Sequence, residues 1–337
     1  MIWVQTMNKT IGVKILSSGS YVPEKVLTNF DLEKMVETSD EWISTRTGIK
    51  ERRILDKSQT TSDLACNAAV KAIEKAKISV DDIDLIIVAT ISPDAPMPST
   101  ACYLQKKLKA TNAVAFDISA ACSGFIYGVS IAKAFISSGM YKRILLVGVE
   151  ALSRVTDWTD RNTCVLFGDG AGAMIFEASE TENDIISTYL GTDGTHTDIL
   201  NIPAGGSAMP TTKETVEQRL HFVKMLGKEV FKVAVSKMAL AVNKAQELVG
   251  LTDKDIDLYI PHQANIRIIE AVAKKAGVTN EKVYINVHKY GNMSAATTIV
   301  ALDEAYQEGK IKKGNLVELV AFGAGLTWGA CILKINF

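Results

Sequence analysis

The sequence is poor in three features that mark whole classes of protein: cysteine, long apolar runs and an excess of charge of one sign. Its 337 residues include five cysteines, with no two in a CxxC pair, so neither a disulfide framework nor a metal site is expected. The apolar runs fall far short of the ~20 residues that span a bilayer. With 37 basic and 38 acidic residues the formal charge is −1, which gives no general attraction to nucleic acid or to a membrane.

Common catalytic signatures are also missing, namely GxxxxGK[ST], HExxH and GxSxG, which argues against kinases, zinc proteases and serine hydrolases. The glycine-rich run 167–174 lacks GxGxxG spacing and predicts a tight turn between strands. A second run, 322–329, could bring a backbone N–H close to a ligand. Residues 1–10 contain no apolar segment of a signal peptide, so we expect a short N-terminal extension and a cytoplasmic protein.

Strand-like and helix-like segments alternate along the chain. Leu85–Thr90, Ala113–Ile118 and Ile144–Val149 are apolar enough to be strands buried on both faces. The segments between them carry apolar residues at helical spacing. This alternation predicts an α/β sandwich with parallel strand pairs. The segment 191–212, rich in Gly, Thr and Pro, is expected to be a surface loop near an entrance.

The chain also contains an internal repeat. Asp-Ile-Asp-Leu at 82–85 recurs at 255–258, 173 residues later. Cys122 and Asn292 are each followed by a glycine 17 residues on and then by a strand-like run, at an offset of 170. We therefore predict two duplicated βαβ-rich halves, 11–182 and 183–337, with Cys122 and Asn292 at equivalent helix starts facing one site. The alternative is that any two βαβ units look alike.

Three residues are candidates for chemistry. Cys122 stands between a buried strand and a helix, where the helix dipole would lower the thiol pKa; the other four cysteines are interpreted as core residues. His262 follows an apolar strand directly and could donate a hydrogen bond or move a proton, although a structural histidine is equally open. Asn292 could cap its helix, or could donate its amide to a developing oxyanion.

Together these motifs resemble the β-ketoacyl-[acyl-carrier-protein] synthase III family, condensing enzymes of the thiolase superfamily. The resemblance covers essentially the whole chain after residue 10. It rests on five motifs in this order, at 39–49, 119–125, 261–267, 290–296 and 325–329. It implies a thiolase-like fold in which the two halves form a layered αβαβα sandwich, and it implies a homodimer.

The resemblance also implies a reaction and its residues. Cys122 would accept an acyl group from a short acyl-CoA, with acetyl-CoA expected, while His262 and Asn292 would bind malonyl-acyl-carrier protein and promote decarboxylation. The product would be a 3-oxoacyl carrier protein, with CO₂ and CoA released and no resident cofactor or metal needed. Thioester formation on a cysteine divides one difficult step into two easier ones. The backbone N–H groups of Cys122 and Ala324 would hold the oxyanion.

Peripheral residues are assigned by the same resemblance. Trp42, Arg46 and Arg161 would contact the CoA nucleotide, and Asn265 the pantetheine arm. Basic and neighbouring residues would bind the acidic carrier protein, namely Lys232, Gln263, Ala264, Asn265, Ile266, Arg267, Lys274 and Lys275. Met97 occupies a position that would reach the acyl pocket of a partner subunit, where its flexibility would allow a primer longer than acetyl.

Other functions remain open at this point. Type III polyketide synthases and alkylquinolone-type condensing enzymes share the Cys/His/Asn set but extend with malonyl-CoA. Hydroxymethylglutaryl-CoA synthases and thiolases are disfavoured by Asn292, because they replace part of that set. A non-catalytic acyl-CoA or carrier-protein binder and a cysteine-dependent thioesterase are two further alternatives.

Overall fold

The computed structural model describes residues 11–337; the predicted N-terminal extension, 1–10, lies outside them. The strands are β1 (Gly12–Tyr21), β2 (Val26–Thr28), β3 (Glu51–Arg53), β4 (Leu85–Ala89), β5 (Val114–Ile118), β6 (Arg143–Ala151), β7 (Asp169–Ser179), β8 (Ile185–Thr192), β9 (Leu200–Asn201), β10 (Lys224–Met225), β11 (Leu258–Pro261), β12 (Leu316–Gly323) and β13 (Thr327–Lys334). The helices are α1 (Asn29–Leu32), α2 (Asp40–Thr47), α3 (Thr61–Ala76), α4 (Thr100–Leu108), α5 (Gly124–Ser137), α6 (Arg161–Cys164), α7 (Lys213–Glu217), α8 (Gly227–Glu247), α9 (Ile266–Ala276), α10 (Val287–Tyr290) and α11 (Thr297–Gln307).

Two mixed sheets organise the chain. The first has the strand order β1-β7-β6-β4-β5, with β6, β4 and β5 parallel and β7 antiparallel to both of its neighbours. The second has the order β11-β12-β13-β8, with β11 and β12 parallel. The central strands are apolar on both faces, as a sheet covered by helices on each side requires. The predicted strands and the parallel pairing are confirmed, but β5 is an edge strand with a half-exposed Val114, so the expectation that it is buried on both faces is wrong.

The sheets and helices stack in five layers. α3 and α4 cover the outer face of the first sheet, and α8 and α9 cover the outer face of the second. α5 and α11 lie between the sheets in one apolar core that both sheets share. This arrangement is the αβαβα sandwich expected of a thiolase-like fold.

The two sheets repeat one topology. In the first half, β1 pairs with β7, β7 pairs with β6, and β6 pairs in parallel with β4. In the second half, β8 pairs with β13, β13 pairs with β12, and β12 pairs in parallel with β11. A fifth position in the second sheet is represented only by a bridge between Tyr259 and Val283. The predicted boundary at 182/183 falls in the connection between β7 and β8, and the division there stays a prediction.

Two local predictions are wrong. The glycine-rich run 167–174 is not a turn, because β7 begins at Asp169 and carries the glycines into the sheet. There they let neighbouring segments approach, since a Cβ at Gly172 would meet the Ile299 side chain at 2.5 Å. Cys102 is not a core residue, because it is exposed on α4. Within residues 11–337, no helix is both long and apolar enough to cross a membrane.

Candidate active site

One cavity of about 950 Å³ lies where the strands β11 and β12 end. Cys122, His262 and Asn292 all line it, together with Ala324, which follows β12 directly. The carboxyl ends of parallel strands are the usual place for a ligand in such a sheet. The three residues predicted from the sequence are therefore brought to one cavity.

Cys122 is held in a tight turn at the entrance to α5. Residues Ala121–Ser123 form a single 3₁₀ turn, and Ala121 has a positive φ of 47°, a strained conformation for a residue with a side chain. Thr327 ties the turn to β13 by donating from Oγ1 to Ala120 O at 2.9 Å. The tight turn and this hydrogen bond fix the backbone at Cys122, which lines the cavity.

The predicted lowering of the Cys122 pKa is wrong. Burial raises the pKa of the thiol to about 12, and the nearby Glu150 carboxylate adds to the rise, while the Ser294 hydroxyl opposes it. Desolvation penalises the thiolate more than the start of α5 stabilises it. Cys122 is accordingly a neutral thiol until a substrate or a proton acceptor changes its surroundings.

His262 is buried and hydrogen-bonded at its ring. Its Nδ1 lies 2.6 Å from Thr297 Oγ1, and its backbone N–H donates to Val320 O at 2.7 Å. Burial lowers the pKa of the imidazole to about 3, so the ring is neutral at physiological pH. A neutral imidazole can donate a hydrogen bond from one ring nitrogen and accept one at the other without introducing a charge.

Asn292 is fixed through its backbone and its amide. Its N–H donates to Leu166 O at 2.8 Å, and its carbonyl accepts from Gly168 N at 3.0 Å. Its Oδ1 accepts from Ser294 N at 2.8 Å. Because the amide oxygen is used in this way, the NH₂ group is left as a donor for the cavity. Asn292 thus caps the following turn and presents a donor at the same time.

The predicted equivalence of Cys122 and Asn292 is wrong by three residues. A second 3₁₀ turn, Ser294–Ala296, precedes α11, and Ser294 has a positive φ of 44°. Ser294 follows Ala121 by 173 residues, the same offset that separates β4 from β11. Cys122 is therefore matched by Ala295 in the second half, and Asn292 lies upstream of that point.

The β12–β13 turn approaches the nucleophile closely. A Cβ at Gly323 would lie 2.6 Å from Cys122 N, so only glycine fits there. Ala324 comes next and lines the cavity. The expectation that the run 322–329 brings a backbone segment close to the site agrees with this contact.

The predicted nucleotide contacts surround one indole. The Arg46 guanidinium carbon lies 4.5 Å from the Trp42 ring centroid, and that of Arg161 lies 5.5 Å from it. Trp42, Arg46 and Asn265 line the cavity, and Arg161 lies at its outer edge between the lining residues Asp160 and Asn162. The arginines are exposed, so this part of the cavity faces solvent and carries positive charge.

The predicted carrier-protein residues divide into two groups. Four are exposed cations, on α8 and α9, and Ala264, Asn265 and Ile266 are half-buried; the cations are Lys232, Arg267, Lys274 and Lys275. Gln263 is different, because its side chain is fully buried. Its Nε2 donates to Pro261 O and Tyr284 O, and its Oε1 accepts from the N–H groups of Asn286 and Val287. It cannot contact a partner directly, and that assignment is corrected to a structural one.

Met97 is 85% exposed and does not line this cavity. The site also contains groups that the sequence did not reveal. Thr297 contacts the His262 ring, Ser294 contacts the Asn292 amide, and Glu150 contributes a buried charge near Cys122. Thr297 and Ser294 lie beside a recognised motif, but their contacts depend on the turn before α11.

Comparisons with known proteins agree with this geometry. The family described as 3-oxoacyl-[acyl-carrier-protein (ACP)] synthase III matches residues 116–194, and the family described as its C terminal matches 247–335. The chain is 58% identical to the β-ketoacyl-[acyl-carrier-protein] synthase III of Caldanaerobacter subterraneus subsp. tengcongensis, over 97% of this chain and 99% of the relative. It is 57% identical to that of Clostridioides difficile, over 97% and 99%. The crystal structure of the Aquifex aeolicus synthase superposes with a TM-score of 0.89 at 48% identity, covering 96% of this chain and 100% of the other.

Proposed function

The chain belongs to the 3-oxoacyl-[acyl-carrier-protein] synthase III family, and we propose that Cys122, His262 and Asn292 carry out its condensation. As a member of that family the protein is an acyltransferase that condenses an acyl-CoA with malonyl-acyl-carrier protein and so starts fatty-acid synthesis. The observation that carries the assignment of residues is that all three line one cavity. Acetyl-CoA is the proposed primer.

In the first half-reaction, the Cys122 sulfur attacks the primer thioester and CoA departs. The tetrahedral oxyanion would be held by the N–H groups of Cys122 and Ala324, an assignment supported by the close approach of Gly323 to Cys122 N. The acyl group then waits on sulfur while CoA leaves and the extender enters. This order is the usual consequence of covalent catalysis.

In the second half-reaction, loss of CO₂ from the malonyl group leaves an enolate whose oxygen needs hydrogen-bond donors. The Asn292 NH₂ group supplies one. Thr297 Oγ1 lies 3.0 Å from Ser294 O and 2.6 Å from His262 Nδ1 and has one proton to donate. His262 supplies the other donor when that proton turns from Ser294 O to Nδ1, because the ring proton then resides on Nε2. Both donors are neutral, so the site stabilises the developing charge without first binding the malonyl carboxylate tightly.

The mouth of the cavity suits a nucleotide followed by a thin arm. The adenine of CoA would stack against Trp42 and Arg161, with the Arg46 charge near the phosphates of the nucleotide. Asn265 Oδ1 already accepts from Arg267 N, so its NH₂ group is the part left for a pantetheine carbonyl.

We also infer a cytoplasmic homodimer. Support comes from β5, which is the edge strand of the first sheet and carries the half-exposed Val114, and from Met97, whose side chain protrudes into solvent. An exposed edge strand is a template for pairing with a second copy. In such a dimer Met97 would enter the partner's acyl pocket and influence the accepted primer length.

Intact-protein mass spectrometry tests the nucleophile and the primer together. After incubation with a panel of acyl-CoAs, the mass should rise by one acyl group, and peptide mapping should place it on Cys122, with acetyl-CoA loading fastest. Malonyl-carrier protein should then discharge the adduct with release of CO₂. Discharge by malonyl-CoA in clear preference to malonyl-carrier protein would contradict the extender assignment.

Reversing one charge on α9 tests the carrier-protein surface. Arg267→Glu should raise KM for malonyl-carrier protein about tenfold with little change in KM for acyl-CoA, because a repelled acidic partner associates more slowly. Added salt should reduce the difference in KM for malonyl-carrier protein between Arg267→Glu and the unmodified enzyme, because salt screens the charges. Lys313→Glu is the matched control, since Lys313 is exposed ahead of β12, at the end of the strand away from the cavity. Equal KM values for both variants would contradict the assignment.

A further inference from the structure

A carboxylate is buried directly behind the nucleophile. Glu150 is fully buried near the end of β6, and its carboxylate accepts hydrogen bonds from Thr90 Oγ1 at 3.2 Å, Ile91 N at 3.2 Å and Ser92 Oγ at 2.5 Å. No lysine or arginine forms an ion pair with it among residues 11–337. A buried, unpaired carboxylate is costly, so its presence calls for a function.

The geometry of β6 directs this carboxylate toward the site. Alternate residues of a strand share a face, so Glu150 points the same way as Gly148. A Cβ at Gly148 would lie 2.6 Å from Ala295 O, which places that face against the turn Ser294–Ala296. The same turn packs against the turn that carries Cys122.

Ser294 stands between the carboxylate and the thiol. Its Oγ is buried, and within the described part of the chain it has no hydrogen-bond partner, yet Ser294 lines the cavity with Cys122. The turn that carries Ser294 packs both against β6, which carries Glu150, and against the turn that carries Cys122. An unsatisfied buried hydroxyl between an acid and a base is suited to pass a proton.

We propose that Ser294 relays a proton between Glu150 and the Cys122 sulfur in both half-reactions; this rests on the proposed role of Cys122. During loading, the S–H bond breaks as sulfur attacks the primer carbonyl, the proton passes to Ser294 Oγ, and the Ser294 proton passes to Glu150. The C–S bond to CoA breaks, and the CoA thiolate takes a proton from solvent. During condensation, the electron pair of the malonyl C–CO₂ bond becomes the enolate and then the new C–C bond. Cys122 leaves as a thiolate, and Glu150 returns its proton through Ser294.

The direction of the last transfer is favourable. Burial raises the pKa of Glu150 to about 7, and burial raises that of Cys122 to about 12. The protonated carboxyl is therefore a far stronger acid than the thiol, so the expelled thiolate recovers the proton readily. During loading the opposite transfer takes place as the C–S bond forms, because sulfur bonded to the primer carbon holds its proton much less strongly than the free thiol does. His262 is neutral and is already assigned to the enolate, which leaves this task to another group.

Two variants test the relay by separating turnover from thiol reactivity. Ser294→Ala and Glu150→Gln should each lower the condensation rate about 10²-fold, the scale of one general acid–base group. The rate of Cys122 alkylation by iodoacetamide should change in opposite directions in the two variants. It should rise in Glu150→Gln, because a charge that raises the thiol pKa is removed, and fall in Ser294→Ala, because a group that lowers it is lost.

The chain offers its own controls. Alanine suits the backbone at 294, since Ala121 holds the same positive φ at the equivalent place in the first half. Ser187→Ala removes another buried hydroxyl without a hydrogen-bond partner in the described residues, on β8, and should leave turnover and alkylation unchanged. Intact mass reports separately on the proposed function, because failure of the unmodified enzyme to acylate Cys122 would defeat that proposal first.

Two results would overturn the relay itself. One is condensation within about twofold of the unmodified rate in both variants while Cys122 still acylates. The other is a loss of turnover accompanied by slower alkylation and a lower melting temperature in both variants, which would indicate a purely structural role for the pair.

Discussion

Replacing Cys122 by serine should abolish acyl-enzyme formation and lower condensation by roughly 10⁴-fold or more, the scale seen when a nucleophile is removed. A serine hydroxyl is a much weaker nucleophile than a thiol and needs a strong base. The site offers only a neutral His262 and the buried Glu150. Intact mass after incubation with acetyl-CoA, and chromatography of the 3-oxoacyl product, measure the two losses.

The same variant should keep part of the chemistry. His262 and Asn292 do not depend on the thiol for their positions, because their hydrogen bonds run to Thr297, Val320, Leu166 and Ser294. Residual release of CO₂ from malonyl-carrier protein is therefore expected without condensation. Cys66→Ser and Cys102→Ser are controls, since neither cysteine lines the cavity, and both should condense normally. An acyl adduct and full turnover in Cys122→Ser would refute the mechanism.

The sequence predicts that the two halves of the chain share one order of strands and helices, but it does not give the correct residue-by-residue alignment of the halves. The helix before β12 is three residues shorter than the helix before β6, at 11 residues against 14. Counting back from the glycine that follows each helix therefore matched Cys122 with Asn292. The positive φ values of Ala121 and Ser294 show that the offset of 173, which the recurring Asp-Ile-Asp-Leu already has, is the true one here as well. A backbone angle on a non-glycine residue leaves no mark in a single sequence, so the sequence did not decide between 170 and 173 at this point.

Local context also failed wherever burial decided the outcome. A cysteine at a helix start predicts a lowered pKa, yet burial desolvates the Cys122 thiol and raises its pKa. Gln263 reads as a polar residue in a surface motif, yet it crosslinks two backbone segments inside the protein. Motif order predicted three residues that the structure brings to one cavity, because strand ends determine where they lie, whereas solvent access depends on distant segments.

Replacing Arg52 should have a large effect on the stability of the protein. Its side chain is fully buried, with Nη1 donating to Leu27 O at 3.1 Å and Asn29 Oδ1 at 2.9 Å, and Nη2 donating to Val165 O at 2.8 Å. It forms no ion pair with a carboxylate within residues 11–337. Burial lowers its pKa to about 10, so it is charged at neutral pH and its charge is met only by carbonyl and amide oxygens.

Arg52→Ala should lower the free energy of unfolding by about 3–5 kcal/mol, because it leaves a cavity and three unpaired buried acceptors. Arg52→Met keeps most of the volume and is the matched control, so it should lose less. Urea denaturation followed by fluorescence measures both variants. Equal stability of Arg52→Ala and the unmodified protein would contradict the prediction.

Removing the Arg52 guanidinium should also disturb the position of Asn292 in the active site. Val165 is followed by Leu166, whose carbonyl accepts from Asn292 N, and Gly168 N donates to the Asn292 carbonyl. Arg52 therefore holds the segment on which the enolate-binding amide is built. Under conditions where Arg52→Met remains folded, we expect slower decarboxylation of malonyl-carrier protein while acylation of Cys122 is less affected, because Asn292 serves only the second half-reaction. Equal losses in both half-reactions would show that the guanidinium supports the fold as a whole rather than this segment.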